Sequence, residues 1–198
     1  VQLFRVTRRH DPAAAFDGFG SASSPGRWNE RSRRAVYTST RIPLAILEVI
    51  VQAGTTSLDG YVAFPVEIPD ALLTPLDRMR LSPLWRTFPG RDECRAFAEE
   101  WRVGKTSLGL IVPSAVLPEA YPFGDVNVVL DPEHPDISKL KIGAPIALDE
   151  IDRYDSPVRY SRTWSATRAY AASIASMRSR VPVRLPARAR SSSSIASS

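Results

Sequence analysis

RRAVYTSTRIPLAILEVIVQAG, residues 33–54, changes its periodicity in the middle. Its first half is β-branched and aromatic around Val36, Tyr37 and Thr38, so it reads as a short strand. Alternation along that strand sends Val36 to one side and Ala35 and Tyr37 to the other. From Ile42 the chain is apolar at nearly every position, runs too long for an ordinary strand and stops at Gly54, as a buried helix does. Ser39 or Thr40 is expected to cap that helix, and Pro43 fits only in its first turn, where a missing N–H costs no helical bond. The unit is therefore strand, turn, helix.

Outward from it, LFRVT (3–7) reads as a strand, and residues 8–30 read mostly as loop, with three glycines and a proline in FDGFGSASSPG. Downstream, GYVAFPVEIP, SLGLIVPSAVLP and VNVVLDP are strand-like, DECRAFAEEWRVG is an amphipathic helix, EHPDISKLKIG a turn with a short helix, and APIALDE a last strand. The sum is an α/β or α+β fold, a single mixed domain of short strands with few helices.

With 198 residues, 43% hydrophobic and 24% charged, the chain is long enough to bury one core. One cysteine, Cys94, gives no internal disulfide, and no apolar run approaches the roughly 20 residues a bilayer crossing needs. A cytoplasmic location without membrane attachment is expected. The charge of +5 is unevenly spread, since residues 155–198 hold eight Arg against one Asp. That segment carries eleven serines from Ser161 onward and has too few large apolar side chains to offset the entropy of ordering it. Residues 1–154 are taken as the folded domain, and 155–198 as a Ser/Arg-rich extension, partly disordered.

Glu48 is the sharpest candidate for chemistry. It is the sole acid of the apolar helix, and a carboxylate there is costly unless paired or used. An internal ion pair with an arginine and a site carboxylate are the two readings. Arg27, in the GRWN stretch 26–29, presents a permanently charged fork suited to phosphate or carboxylate, with Gly26 allowing close approach. Trp28 serves as core or as a stacking platform, and Asn29 as a turn residue or a ligand contact. Tyr37 offers a ring or a hydroxyl, Arg5 interrupts an apolar strand as a second clamp, Ser114 follows a strand and a proline, and Asn127 breaks the apolar run VNVVL.

Several classes are disfavoured. Ser114 lacks the glycine setting of a nucleophile elbow, neither GxGxxG nor the GxxxxGK[ST] phosphate loop occurs, and His10 and His134 lack clustered partners for a metal. Arginine clustering in the tail, with no accompanying motif, does not suffice for nucleic-acid binding.

The blocks LFRV, SPGRWNERSRRAVYTSTRIPLAILEVI, LIVPSAVLPE and VNVVLDPEHPDISKLKI resemble, in order over residues 3–154, those of the RES domain, the toxin of bacterial toxin–antitoxin pairs. Pro25 stands where the family commonly has a second glycine. The resemblance implies a fold related to the ADP-ribosyltransferases and degradation of NAD⁺ at the nicotinamide–ribose bond, by hydrolysis or by phosphorolysis. NAD⁺ is then substrate, with inorganic phosphate a possible co-substrate, and no resident cofactor is expected. It also implies Glu48, Arg27 and Ser114 as catalytic residues with Tyr37 as the cleft tyrosine, and Arg5 as a further polar cleft residue; Trp28, Asn29 and Asn127 join Arg5 as expected substrate contacts on their own chemistry. An antitoxin with a helix-turn-helix DNA-binding domain is the expected partner, and oligomerisation fits such systems. Two other classes stay open: a transferase that attaches ADP-ribose to protein or nucleic acid, and a basic binding protein acting through the tail.

Overall fold

The computed structural model describes residues 1–148 apart from 56, 88–89, 119–120 and 122–123. The Ser/Arg-rich extension, and what was expected of it, lie outside the described residues. In chain order the elements are β1 (Gln2–Thr7), α1 (Pro12–Ala15), α2 (Phe19–Ser23), β2 (Val36–Ser39), α3 (Ile42–Ala53), β3 (Val62–Glu67), β4 (Leu73–Pro75), α4 (Gly90–Gly104), β5 (Gly109–Val112), β6 (Asn127–Leu130), β7 (Lys141–Ile142) and β8 (Ile146–Ala147). The expected short helix after VNVVLDP is a 3₁₀ turn, Pro135–Lys139.

The strands form one sheet in the order β4-β5-β6-β2-β1-β3-β7, with β8 also on β3. Every pairing is antiparallel except β4 with β5, whose connection contains α4. Pro65 sits inside β3 without breaking it. Its residue pairs with Phe4 on one side, while on the other it falls between the β7 and β8 pairings, where a missing N–H costs no ladder bond. Its carbonyl still accepts from the Gly143 N–H.

Alternation divides the sheet into two faces. On one, Leu3, Val36, Phe64, Val66, Val128 and Leu130 pack with Ala15 and Phe16. The other is covered in two parts. Cys94, Ala98 and Trp101, spaced four and three along α4, pack over Ala35, Leu110, Val112 and Val129 with Trp28 and Trp85. Ala45, Ile46, Val49 and Ile50 of α3 pack over Val6 and Ala63. Two clusters thus share one face, and the polar side chains of the middle strands stand between them.

The segment 8–30 is mostly loop, as expected, and also holds two short helices, α1 capped by the Asp11 side chain. Two expectations need correction. The first residue flanking α3 is Arg41, with no side-chain cap, because Thr40 Oγ1 instead meets Gly124 and Val126 and Ser39 Oγ meets Asn127. Nor is α3 buried throughout: only Leu44 and Ala45 are fully so, and Val51 is 56% exposed. Its stop at Gly54 is as expected, with φ 62°, a conformation cheap for glycine.

Candidate active site

Four strands set the floor of the site. Phe4 pairs with Ser39, Ser39 with Asn127 and Asn127 with Val112, so one row of residues crosses β1, β2, β6 and β5 on the face that α3 and α4 share. Ser114 follows that row by two residues, past Pro113. Glu48 reaches it from α3. Its Oε1 accepts from Ser114 Oγ at 2.6 Å and from Asn127 Nδ2 at 2.6 Å. Asn127 is itself held by Ser39, whose Oγ donates to Asn127 Oδ1 at 2.7 Å.

No ion pair with arginine holds Glu48 among the described residues. Its Oε2 has no protein partner there, and the residue is partly exposed. One carboxylate oxygen is thus fixed by two donors while the other stays available. This is a built site, since charge-assisted bonds of this length define the orientation of the group.

Ser114 is fully buried, donates to Glu48 and accepts from the N–H groups of Val116 and Leu117 at 3.1 and 2.9 Å. It therefore positions the carboxylate and closes a turn, and it has no free hydroxyl face for a substrate oxygen.

The GRWN stretch lies beside this arrangement, and its members divide. Asn29 is buried, with every polar position used: Oδ1 accepts from Gly26 N–H at 2.9 Å and from the Tyr37 hydroxyl at 2.7 Å, and Nδ2 reaches the carbonyls of Ser21, Glu30 and Arg33. Trp28 is buried against Trp85, ring centroids 6.3 Å apart. Both are internal supports of the loop, in place of the ligand contacts expected of them. Gly26 is required by closeness, since a Cβ there would sit 2.5 Å from the Tyr37 hydroxyl oxygen. From α4, Arg95 reaches Glu30 at 3.7 Å, and Glu99 pairs with Arg33 at 2.8 Å, so the helix grips the same loop.

Tyr37 faces the α4 cluster, as alternation predicts. Its hydroxyl donates to Asn29 and accepts from the Trp28 N–H at 3.0 Å, and burial pushes its ionisation well above the usual tyrosine range. A hydroxyl spent in this way anchors the loop to β2.

Arg27 is half-buried, and Glu48 is among the charged groups it feels. Burial pulls its guanidinium below the ordinary value, with Cys94 and Glu48 among the groups that oppose the shift. Its donors meet the carbonyls of Trp85 at 2.6 Å and Arg86 at 3.0 Å, and the guanidinium lies 5.8 Å from the Trp85 ring. Arg5 is placed differently. The β1–β2 ladder holds the single pair Phe4 with Ser39, and beside it Arg5 donates to the carbonyls of Ala15 and Tyr37, joining the diverging strands. Burial pulls it down to about 10, so it is charged at neutral pH, and its charged neighbours are Asp17 and Arg9. The two arginines do not converge on one anion site as expected.

Glu48, Ser114 and Asn127 are brought together, with Tyr37 and Arg27 beside them. Ser39 was missed, being read as a helix cap. The signal for it was the period of two, which puts Ser39 on the side of Tyr37. A groove lined by Gln2, Glu67, Lys139 and Lys141 lies at the β3–β7 edge and contains none of these residues. Among the described residues no group of three His, Cys, Asp or Glu could hold a metal ion, and no helix is long and apolar enough to cross a membrane.

Fold and site together define a mixed α/β domain in which α3 brings an oriented carboxylate, Glu48, over the middle strands of the sheet. The chain belongs to the RES domain family, whose model matches residues 2–155. It is 34% identical over 139 residues to a Toxin Res of Photorhabdus laumondii, covering 69% of this chain and 85% of that protein, and 30% identical over 135 residues to a Toxin Res of Yersinia enterocolitica, covering 68% and 86%. A Prs ADP-ribosylating toxin of Sphingobium is 30% identical over 129 residues, covering 63% and 76%. The fold is similar to a chain of the M. tuberculosis MbcT-MbcA toxin-antitoxin complex, with a TM-score of 0.58 at 21% identity over 74% of this chain and 83% of that one. The family and the fold class read from the sequence are both borne out.

Proposed function

We propose that this chain is the toxin of a toxin–antitoxin pair and that it consumes NAD⁺ by cleaving the nicotinamide–ribose bond. The observation that carries the reading is the Glu48 carboxylate, with Oε1 fixed by Ser114 and Asn127 and Oε2 without a partner among the described residues. Loss of nicotinamide leaves an oxocarbenium-like ribose, and the leaving group departs as a neutral ring, so no strong acid is required. Glu48 Oε2 accepts a hydrogen bond from a ribose hydroxyl and stabilises the developing positive charge, an interaction that strengthens toward the transition state. Ser114 and Asn127 keep the carboxylate from rotating. Arg27 supplies positive charge for the pyrophosphate or an incoming phosphate, exchanging backbone carbonyls for phosphate oxygens.

An antitoxin is the expected protein partner; Val51, three residues past Glu48 on α3, is 56% exposed and Leu117, three residues past Ser114, is 42% exposed, each an apolar side chain open to such a partner. That a relative is named an ADP-ribosylating toxin favours a second reading, transfer of ADP-ribose to a macromolecule.

The test is incubation of the purified protein with NAD⁺, with and without inorganic phosphate, with products resolved by mass. Free ADP-ribose means hydrolysis, and ADP-ribose carrying phosphate means phosphorolysis. ADP-ribose found only on protein or nucleic acid means transfer. No consumption by antitoxin-free protein would overturn the reading.

A further inference from the structure

Ser39 is buried, 3% exposed, and lies directly across the β2–β6 ladder from Asn127. Its hydroxyl donates to Asn127 Oδ1 at 2.7 Å, and the same amide donates through Nδ2 to Glu48 Oε1 at 2.6 Å. We propose that Ser39 is a positioning residue for Glu48, acting only through Asn127: it fixes which end of the amide faces the carboxylate.

The argument is one of donors and acceptors. A carboxylate accepts and cannot donate, so the amide must present its nitrogen to Glu48, and its oxygen then points away into the sheet. That oxygen faces the buried hydroxyl of Ser39, which supplies its donor. Polarising the amide oxygen strengthens the hydrogen bond that its NH₂ group donates to Glu48, because linked hydrogen bonds reinforce one another. Turning the amide over would set its oxygen against Glu48 Oε1 and lose the bond to the carboxylate.

Placement makes the contact hard to replace. Ser39 and Asn127 are each paired on both sides, Ser39 with Phe4 and Asn127, and Asn127 with Ser39 and Val112. Their backbones are fixed by the ladder, and the hydroxyl is delivered by β2 itself. Ser114 holds the same carboxylate oxygen from β5's end, so Glu48 is fixed from two strands.

As a contribution to turnover this rests on the proposed NAD⁺ reaction, and the test separates the two. In the full chain, Ser39→Ala should lower kcat for NAD⁺ consumption about tenfold with KM changed less than twofold, and Ser39→Thr, which keeps the hydroxyl, should recover most of it. In an Asn127→Ala background, Ser39→Ala should have no further effect on kcat. Equal loss in both backgrounds would overturn the proposal, since a general loss of packing acts with or without the amide. The second readout needs no activity: the Asn127 side-chain NH₂ resonance should move in Ser39→Ala and stay near its wild-type position in Ser39→Thr. If wild-type protein consumes no NAD⁺, the functional reading fails while this resonance still decides the role of Ser39. An unmoved resonance in Ser39→Ala overturns it.

Discussion

The hydroxyl of Tyr37 and the side-chain oxygen of Asn29 meet at 2.7 Å, and that contact ties strand β2 to the loop that carries Arg27. Because the hydroxyl also accepts from the Trp28 N–H, removing it breaks two bonds in a buried place. Tyr37→Phe should therefore lose about 1–3 kcal/mol of stability, read from denaturant midpoints. KM for NAD⁺ should rise more than kcat falls, since the loosened loop positions Arg27. A loss of kcat by orders of magnitude at unchanged stability would mean that the hydroxyl takes part in the chemistry.

Gly26→Ala attacks the same junction from the backbone. The new Cβ would lie 2.5 Å from the Tyr37 oxygen and 2.8 Å from its ring carbon, so the loop or the ring must shift. We expect a loss of about 1–3 kcal/mol, with the double variant Gly26→Ala, Tyr37→Phe losing less than the sum of the two. Strict additivity of the two midpoint shifts would contradict a direct clash.

These supports show what was legible in the sequence. The strand, turn and helix of residues 33–54 could be read from periodicity, and Glu48 stood out because a lone acid among aliphatic residues is costly there. Side-chain chemistry marked the GRWN stretch. It could not show that Trp28 and Asn29 point inward, because the direction of a loop side chain depends on the strand and helix that enclose it. Ser39 was hidden for a related reason: a Ser before a helix satisfies the capping pattern, and only the β2–β6 register turns it toward Asn127. Strand β4 escaped notice because its three residues are defined by pairing with β5 and by no pattern of their own.

Ser114→Ala removes one of two donors to Glu48 Oε1 and strips the Val116 and Leu117 N–H groups of their acceptor. A hydrogen bond to a charged group is worth about 1.5–3 kcal/mol, so kcat should fall about 10- to 150-fold. Stability should fall with it, by about 1 kcal/mol from the opened turn. Since the hydroxyl is buried and already donating, no covalent Ser114 adduct should be seen by mass spectrometry during turnover. Detection of one would replace a positioning role with a nucleophilic one.

Glu48→Gln keeps the size of the side chain and removes its charge. Folding should be nearly unchanged by melting temperature, while NAD⁺ turnover should fall by at least about a hundredfold, the scale lost when one preorganised electrostatic partner of a transition state is removed. Arg27→Ala should differ in kind. It weakens substrate binding first and also frees the carbonyls of Trp85 and Arg86, so KM should rise and the midpoint should drop. Near-wild-type turnover by Glu48→Gln would remove the carboxylate from the mechanism.

Cys94 gives a pH dependence with a definite sign. Burial between α4, which carries it, and the sheet pushes its thiol up to about 11, against about 8.5 in an unfolded chain, with nearby Arg27 opposing the shift. Between those values the unfolded chain sheds the proton that the folded chain keeps, so stability is fully present below about pH 8.5 and declines as pH rises toward 11. Tyr37 is shifted in the same direction and extends the decline, whereas Arg5, lowered to about 10, acts in the opposite sense at the top of the range. Comparison of one variant with wild type isolates the thiol. Urea midpoints at pH 7, 9 and 10.5 should fall more steeply for wild type than for Cys94→Ala, and native protein should react with thiol reagents only as fast as it opens, because Cys94 is fully buried. Parallel pH curves for the two proteins, or rapid alkylation of folded protein, would show that the thiolate is accommodated in the native state.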